Sequence, residues 1–265
     1  MIPNIKILGI GVYAPGDPIS NKELKKLAGI EFDEQKLEEK LGIKQRHIAR
    51  LRNINESTAD FAVKAADNAL KDANISANEI DLIIVGTDTP EFITPATSIL
   101  VQGRIQKGEK WTSTFDVAAS CASFTIAFDN AVRIMQTDPK IKSALVIGVY
   151  NMPAFVREDD EFGWTIFADG AGAFVIQKDE NCNSQYIAGQ LLTDGTQWDY
   201  VGVYTGGTKL PYSKERMEKG EFGLQNLQKL PGDRNVRLWP MVVEKLLDKG
   251  NVKLSEVDHF LFTQI

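Results

Sequence analysis

The sequence predicts an α/β protein assembled from two copies of one unit, the second cut short, and three observations carry that expectation. The segment Asn74-Ile-Ser-Ala-Asn-Glu79-Ile80-Asp81-Leu-Ile-Ile-Val85 matches Asn251-Val-Lys-Leu-Ser-Glu256-Val257-Asp258-His-Phe-Leu-Phe262 at a constant offset of 177 residues, with identical Asn, Glu and Asp and matching apolar positions. Each copy follows a helical stretch, Ser57 to Asp72 and then Trp239 to Lys249, and leads through a polar link into an apolar run of strand length. A chain of 265 residues, 43% hydrophobic and 25% charged, is large enough to bury a core in one or two ordinary globular domains. Alternating helices and strands then predict layered halves packed face to face.

Taken in order, the first helix opens on Ser57 with Asp60 three residues on, a capping-box pattern. An apolar strand through Val85 follows, and then a short extended segment from Trp111 to Val117. Phe124, Phe128, Ala131 and Met135 recur at helical spacing up to about Gln136, and strands follow at Ala144 to Tyr150 and Ala173 to Gln177. The second copy stops early, because by the same offset Ile265 corresponds to Asp88. The expected division is therefore 1–177 for a full first half and 178–265 for an incomplete second one. A half that lacks its later strands exposes sheet edges and apolar faces, so the expectation is a fragment or a chain completed by another polypeptide.

Composition narrows the function classes. A net charge of −6 argues against nucleic-acid binding, which needs a concentrated positive face. The one basic stretch, Lys40, Lys44, Arg46, Arg50 and Arg52, is either a patch for an acidic partner or a solvated face. No run reaches the ~18 apolar residues of a membrane span, and the start of the chain has no basic-then-apolar signal pattern, which together predict a cytoplasmic protein. Two histidines without Cys/His clustering give a metal site no support. Gly170 and Gly172 lack the spacing and the lysine of a nucleotide loop and read as close-packing glycines. Cys182 lies in a polar loop and reads as a surface thiol.

Cys121 carries the chemistry. It falls where the strand ending at Val117 feeds into the next helix, in Asp116-Val-Ala-Ala-Ser-Cys121-Ala-Ser-Phe124, which puts it in the helix's first turn. Free N–H groups and the positive end of the helix dipole favour a thiolate there. Small neighbours leave room for a substrate, and nearby N–H groups can hold the oxyanion of a thioester carbonyl. The alternative is a small buried hydrophobe, the usual fate of a free cysteine.

Four blocks, in this order and spacing, resemble the thiolase superfamily and most closely the β-ketoacyl-acyl-carrier-protein synthase III group of condensing enzymes. They are Gly42-Ile43-Lys44-Gln45-Arg46-His47-Ile48-Ala49, Val85-Gly86-Thr87-Asp88-Thr89-Pro90, Asp116 to Phe124, and Phe167-Ala168-Asp169-Gly170-Ala171-Gly172-Ala173. The resemblance implies a thiolase-like fold of two pseudo-repeated αβαβα halves and an acyltransferase, commonly a homodimer, active in fatty acid or related acyl-chain synthesis. It implies that Cys121 takes an acyl group from coenzyme A and passes it to the carbanion left when a malonyl group on acyl carrier protein loses carbon dioxide. No cofactor stays bound; acyl-coenzyme A and acyl-carrier-protein thioesters are substrates.

The family's His-Gln-Ala-Asn motif corresponds here to Thr263-Gln264-Ile265, so Thr263 stands at the histidine position. Threonine donates one hydrogen bond but carries no proton near neutral pH. The positions of the family's nucleotide-binding tryptophan and arginine are taken by Lys36 and Lys40, which, with Arg46, are the candidates for holding coenzyme A; Glu161 replaces a second arginine. Asp88 is either a general base, as in the related hydroxymethylglutaryl-CoA synthases that carry a glutamate near this strand end, or a turn residue. These departures keep two other outcomes open: non-decarboxylative acyl transfer or thioester hydrolysis, and a non-catalytic partner subunit.

Overall fold

The computed structural model describes residues 4–263 and divides into two compact units, one running through Ala154 and resuming at Trp164–Tyr186, the other formed by Phe155–Gly163 and the residues from Ile187 onward. The sequence suggests a boundary at 177/178, whereas these units divide after Tyr186 and assign Phe155–Gly163 to the second. The first unit contains β1 (Ile5–Tyr13), β2 (Ile19–Ser20), α1 (Asn21–Ala28), α2 (Glu34–Leu41), β3 (Gln45–Arg46), α3 (Thr58–Ala73), β4 (Leu82–Gly86), α4 (Thr97–Ile105), β5 (Ser113–Val117), α5 (Ser123–Thr137) and β6 (Ser143–Asn151). After α6 (Glu161–Ile166), which begins in the second unit, the first unit closes with β7 (Asp169–Lys178). The second holds β8 (Val201–Val203), α7 (Lys214–Glu218), β9 (Leu224–Asn226) and α8 (Arg234–Gly250). Among the described residues no helix is long and apolar enough to cross a membrane.

Five strands form the central sheet of the first unit in the order β1-β7-β6-β4-β5, with β6-β4 and β4-β5 parallel and the β1-β7 and β7-β6 pairs antiparallel. Period-two alternation divides the buried side chains between its faces. Ile83, Val85, Leu145, Ile147 and Val175 meet the alanine-rich side of α3, whereas Leu82, Ile84, Ala144, Val146 and Ile176 meet Ala127, Ala131, Val132 and Met135 of α5. This αβα layering is the architecture the alternating elements predict.

The α3 helix sits unusually low on β1. A Cβ built on Gly11 would lie 2.1 Å from the Ala65 carbonyl oxygen, and one on Gly9 would lie 2.4 Å from the Ala73 nitrogen. Gly9 and Gly11 are therefore close-packing glycines on β1. Gly172, read as one from the sequence, has open space beside it, and Gly170 meets only the Tyr13 carbonyl oxygen at 3.3 Å.

The start of α3 refines the capping-box expectation. Asp60 Oδ2 accepts from the Ser57 nitrogen at 2.9 Å, as that pattern requires. The Ser57 hydroxyl lies 2.8 Å from Asp60 Oδ2 and 2.6 Å from Glu91 Oε2, able to donate its one proton to either, and Glu91 Oε2 accepts from the Ala59 nitrogen at 2.8 Å. A carboxylate from the loop after β4 therefore takes over part of the cap.

The internal repeat is faithful up to the start of the strand. Asn74 and Asn251 both end their helices in the left-handed region, with φ of 55° and 50°. Both links then make a short 3-10 turn closed by a glutamate, Glu79 on the Ser76 nitrogen at 2.8 Å and Glu256 on the Lys253 nitrogen at 2.7 Å. Beyond that the copies part. Leu82–Gly86 is wholly buried between β5 and β6, but Val257 to Thr263 forms no strand, and Phe260, Leu261 and Phe262 are exposed, Leu261 at 97%. A strand exists only with partners to accept and donate its backbone hydrogen bonds. The expected buried second strand is not formed among the described residues.

Candidate active site

Cys121 stands at the end of a chain of local constraints. The parallel partner strand ties β5 in register to its end, with Gly86 opposite Val117 and the Thr87 nitrogen donating to the Val117 carbonyl at 2.9 Å. Asp116 turns its carboxylate to the start of α4, accepting from the Thr97 nitrogen at 2.6 Å and the Ser98 nitrogen at 2.7 Å. An anion on those free N–H groups anchors β5 to that helix.

After Val117 the chain bends sharply. Ser120 has φ of 48°, a left-handed conformation that costs a non-glycine residue roughly 1–2 kcal/mol. The Ser123 hydroxyl holds the bend, accepting from the Ala119 nitrogen at 2.9 Å and donating to the Ser120 carbonyl at 2.7 Å. Cys121 is exposed on the resulting 3-10 turn, Ser120–Ala122, immediately ahead of α5. The thiol therefore precedes the regular helix where the sequence spacing put it in the first turn, and it is not the buried hydrophobe that composition alone would favour.

Asp88 and Tyr150 occupy the neighbouring strand ends. Gly86 lies opposite Gly148 in the β4-β6 pair, and the Asn151 nitrogen donates to Thr89 Oγ1 at 2.9 Å, which fastens the end of β6 to the turn after β4. Burial, then the charge of Asp88, then that of Cys121 raise the Tyr150 hydroxyl above its ordinary pKa. The sequence reading passed over Tyr150 because a tyrosine ending a strand looks like any half-buried aromatic.

The turn chemistry suggested for Asp88 belongs to its neighbour. Thr87 Oγ1 accepts from the Thr89 nitrogen at 3.1 Å and shares a hydrogen bond with the Thr89 hydroxyl at 3.2 Å. Asp88 Oδ1 is buried and has no hydrogen-bond partner among the described residues.

The other candidates divide. Lys36 and Lys40 lie exposed on α2, as a pair for phosphate groups requires. Arg46 does not: it is 5% exposed, and its guanidinium reaches the Ile19 and Thr165 carbonyls, both at 3.4 Å. Burial lowers its pKa. The structure therefore moves Arg46 from ligand to scaffold. The basic stretch also dissolves, since Arg52 pairs with Glu23 at 2.6 Å and the Arg50 guanidinium carbon lies 5.5 Å from the centre of the Trp164 ring. Trp164 itself is core at 2% exposure. Thr263 and His259 are both exposed in the second unit, and Gln264 lies outside the described residues.

Asp169, of the Gly-Ala-Gly block, is a buried carboxylate with one satisfied oxygen: Oδ2 accepts from the Ala49 nitrogen at 2.7 Å, while Oδ1 has no partner among the described residues. Burial pushes its pKa from the ordinary 3.8 up to about 7, against the smaller opposing effect of that hydrogen bond. The folded state then holds a proton between those two values that the unfolded chain has released, so this contribution is complete below about pH 4 and is lost as pH rises through 7. Relative to wild type, Asp169→Asn gains stability across that window by up to about 1 kcal/mol per pH unit. Urea unfolding at pH 5 and pH 8 checks this; a difference between the two proteins that does not change with pH contradicts it.

The comparisons with known proteins fit this arrangement. A family model described as 3-oxoacyl-[acyl-carrier-protein] synthase III matches residues 115–195, which include Cys121 and the Gly-Ala-Gly block. The β-ketoacyl-[acyl-carrier-protein] synthase III of Clostridium acetobutylicum is 30% identical over 264 residues, covering 97% of this chain and 76% of that protein. The enzyme of the same name from Syntrophomonas wolfei is 32% identical over 263 residues, covering 97% and 75%. Among solved structures, 3-oxoacyl-[acyl-carrier-protein] synthase III from Aquifex aeolicus superposes with a TM-score of 0.78 at 29% identity, covering 96% of this chain and 74% of that one. With its strand order and relatives of this identity and coverage, the chain belongs to the β-ketoacyl-[acyl-carrier-protein] synthase III family.

Proposed function

We propose that this protein is a condensing acyltransferase that extends an acyl group taken from coenzyme A. The Cys121 thiolate attacks the thioester carbonyl of an acyl-coenzyme A, and the tetrahedral oxyanion collapses with loss of the coenzyme A thiolate, leaving an acyl-Cys121 thioester. A malonyl thioester on acyl carrier protein then loses carbon dioxide. Its carbanion attacks the acyl-Cys121 carbonyl, and the Cys121 thiolate leaves as the β-ketoacyl product forms. Both thioesters are substrates, and the chemistry asks for no resident cofactor.

The observation that carries this reading is the exposed thiol on the strained Ser120–Ala122 turn, held between a parallel strand end and the start of α5. Lys36 and Lys40 would meet the phosphates of coenzyme A. Thr263 would offer one hydrogen bond to the enolate oxygen, and Asp88 would be the candidate base. The reading extends to a cytoplasmic homodimer. Supporting the homodimer, β5 is an edge strand paired, among the described residues, only with β4, and Trp111 just ahead of it is 91% exposed.

Intact mass after incubation with acyl-coenzyme A tests the first step, since an adduct of the acyl mass on Cys121 is expected and none on folded protein would sink the proposal. Adding malonyl-acyl carrier protein tests the second. A β-keto product supports condensation, whereas free acid supports the hydrolytic reading that threonine at position 263 favours. Thr263→Ala should leave the Cys121 adduct intact and slow condensation by about 10²-fold, the usual cost of one lost oxyanion donor. Equal condensation rates in a single-turnover assay would remove Thr263 from the site.

A further inference from the structure

The carboxylate of Asp88 lacks a structural explanation. Its Oδ1 is buried without a hydrogen-bond donor among the described residues, and the turn it occupies is closed by Thr87 and Thr89 instead. A buried acceptor left unmade costs more than a satisfied one gains, so native structures rarely keep one without use.

Asp88 follows directly on the Thr87 to Val117 hydrogen bond that joins the ends of β4 and β5, and Cys121 lies four residues beyond Val117. Tyr150, at the end of β6, is influenced by both. With the ends of β4 and β5 joined in this way, an acyl group bonded to the Cys121 sulfur would begin its chain toward the Asp88 turn, whose Oδ1 acceptor has no partner among the described residues. We propose that Asp88 is a specificity-determining residue, accepting a hydrogen bond from a hydroxyl or amine carried close to the thioester carbonyl, so that the enzyme selects polar-substituted acyl thioesters over plain alkyl ones. The inference rests on acylation of Cys121 and adds the substrate class. It follows from a general asymmetry: a site built to hydrogen-bond a substrate rejects the analogue without the donor, because its own buried acceptor is then left unpaired.

The test compares 3-hydroxybutyryl-coenzyme A with butyryl-coenzyme A, alike in chain length, by the rate at which each adds its mass to Cys121. Wild type should take the hydroxylated thioester about tenfold faster, the worth of one hydrogen bond to a charged group. Asp88→Leu should lose or reverse that preference, and Asp88→Asn, which keeps an acceptor oxygen at the same size, should retain part of it; thermal unfolding of each variant shows whether it is folded. Equal rates in wild type overturn the inference, as does a preference that folded Asp88→Leu preserves. Acylation by both thioesters without discrimination defeats only the role of Asp88. Absence of any Cys121 adduct defeats the acyltransferase reading and this inference together.

Discussion

Cys121→Ser should abolish the acyl adduct seen by intact mass and lower condensation by about 10⁴-fold or more, the scale on which removing a covalent nucleophile acts. Sulfur and oxygen differ little in size, so the Ser120–Ala122 turn and the Ser123 hydrogen bonds that hold it should survive, and the variant should unfold at nearly the wild-type temperature. What changes is chemistry. A serine hydroxyl ionises far less readily than a thiol, and among the described residues neither the bend nor α5 supplies a histidine to take its proton. Cys182→Ser is the matched control. Its sulfur is half-buried in a loop and donates to the Ser184 carbonyl at 3.4 Å, remote in sequence from the β5-α5 junction, so its loss should leave the adduct unchanged. An adduct that persists in Cys121→Ser but disappears in Cys182→Ser would reassign the nucleophile.

Features legible in the sequence were those fixed by short-range chemistry. The strand ending at Val117, the helix carrying Phe124 to Met135 and the Asn-to-Glu links of the repeat all declare themselves in periodicity, capping or turn residues, and each forms where the spacing puts it. The second strand of the repeat failed for the complementary reason. Val257 to Phe262 matches its counterpart at every apolar position but one, where His259 replaces Leu82, yet β4 forms because β5 and β6 flank it, and those neighbours lie far away in sequence. Asp81 makes the same point within one residue: its carboxylate accepts from the Lys142 and Ser143 nitrogens, while the matching Asp258 is exposed.

The site divides along the same line. Cys121 was visible because strand, small residues and helix are contiguous. Arg46 was misread because its charge suggests a ligand, and only the fold shows it turned inward onto two carbonyls. Tyr150 and the unfilled Asp88 oxygen emerge from strand ends that meet across the sheet, a juxtaposition that no local pattern encodes.

Gly86→Val should damage both stability and acylation, because this glycine is the seat of the nucleophile's helix. A Cβ at position 86 would lie 2.7 Å from the carbonyl carbon and oxygen of Ser123 and 2.9 Å from the Phe124 nitrogen, which are backbone atoms that no side-chain rotation can clear. Ser123 is also the residue whose hydroxyl closes the Cys121 bend. Moving its backbone therefore shifts the thiol as well as the first turn of α5. Overpacking of this kind typically costs about 1–3 kcal/mol, and a displacement of ~1 Å at a reacting group is enough to slow its reaction by about 10²-fold. The informative comparison is Gly172→Ala, where the added methyl meets nothing within 4 Å. That variant should unfold and acylate like wild type, while Gly86→Val loses stability in urea and forms the Cys121 adduct far more slowly under conditions where it is still folded. A Gly86→Val protein that is less stable but acylates at the wild-type rate would show that α5 can retreat from the sheet without carrying Cys121 with it, and would separate the packing of the helix from the geometry of the thiol.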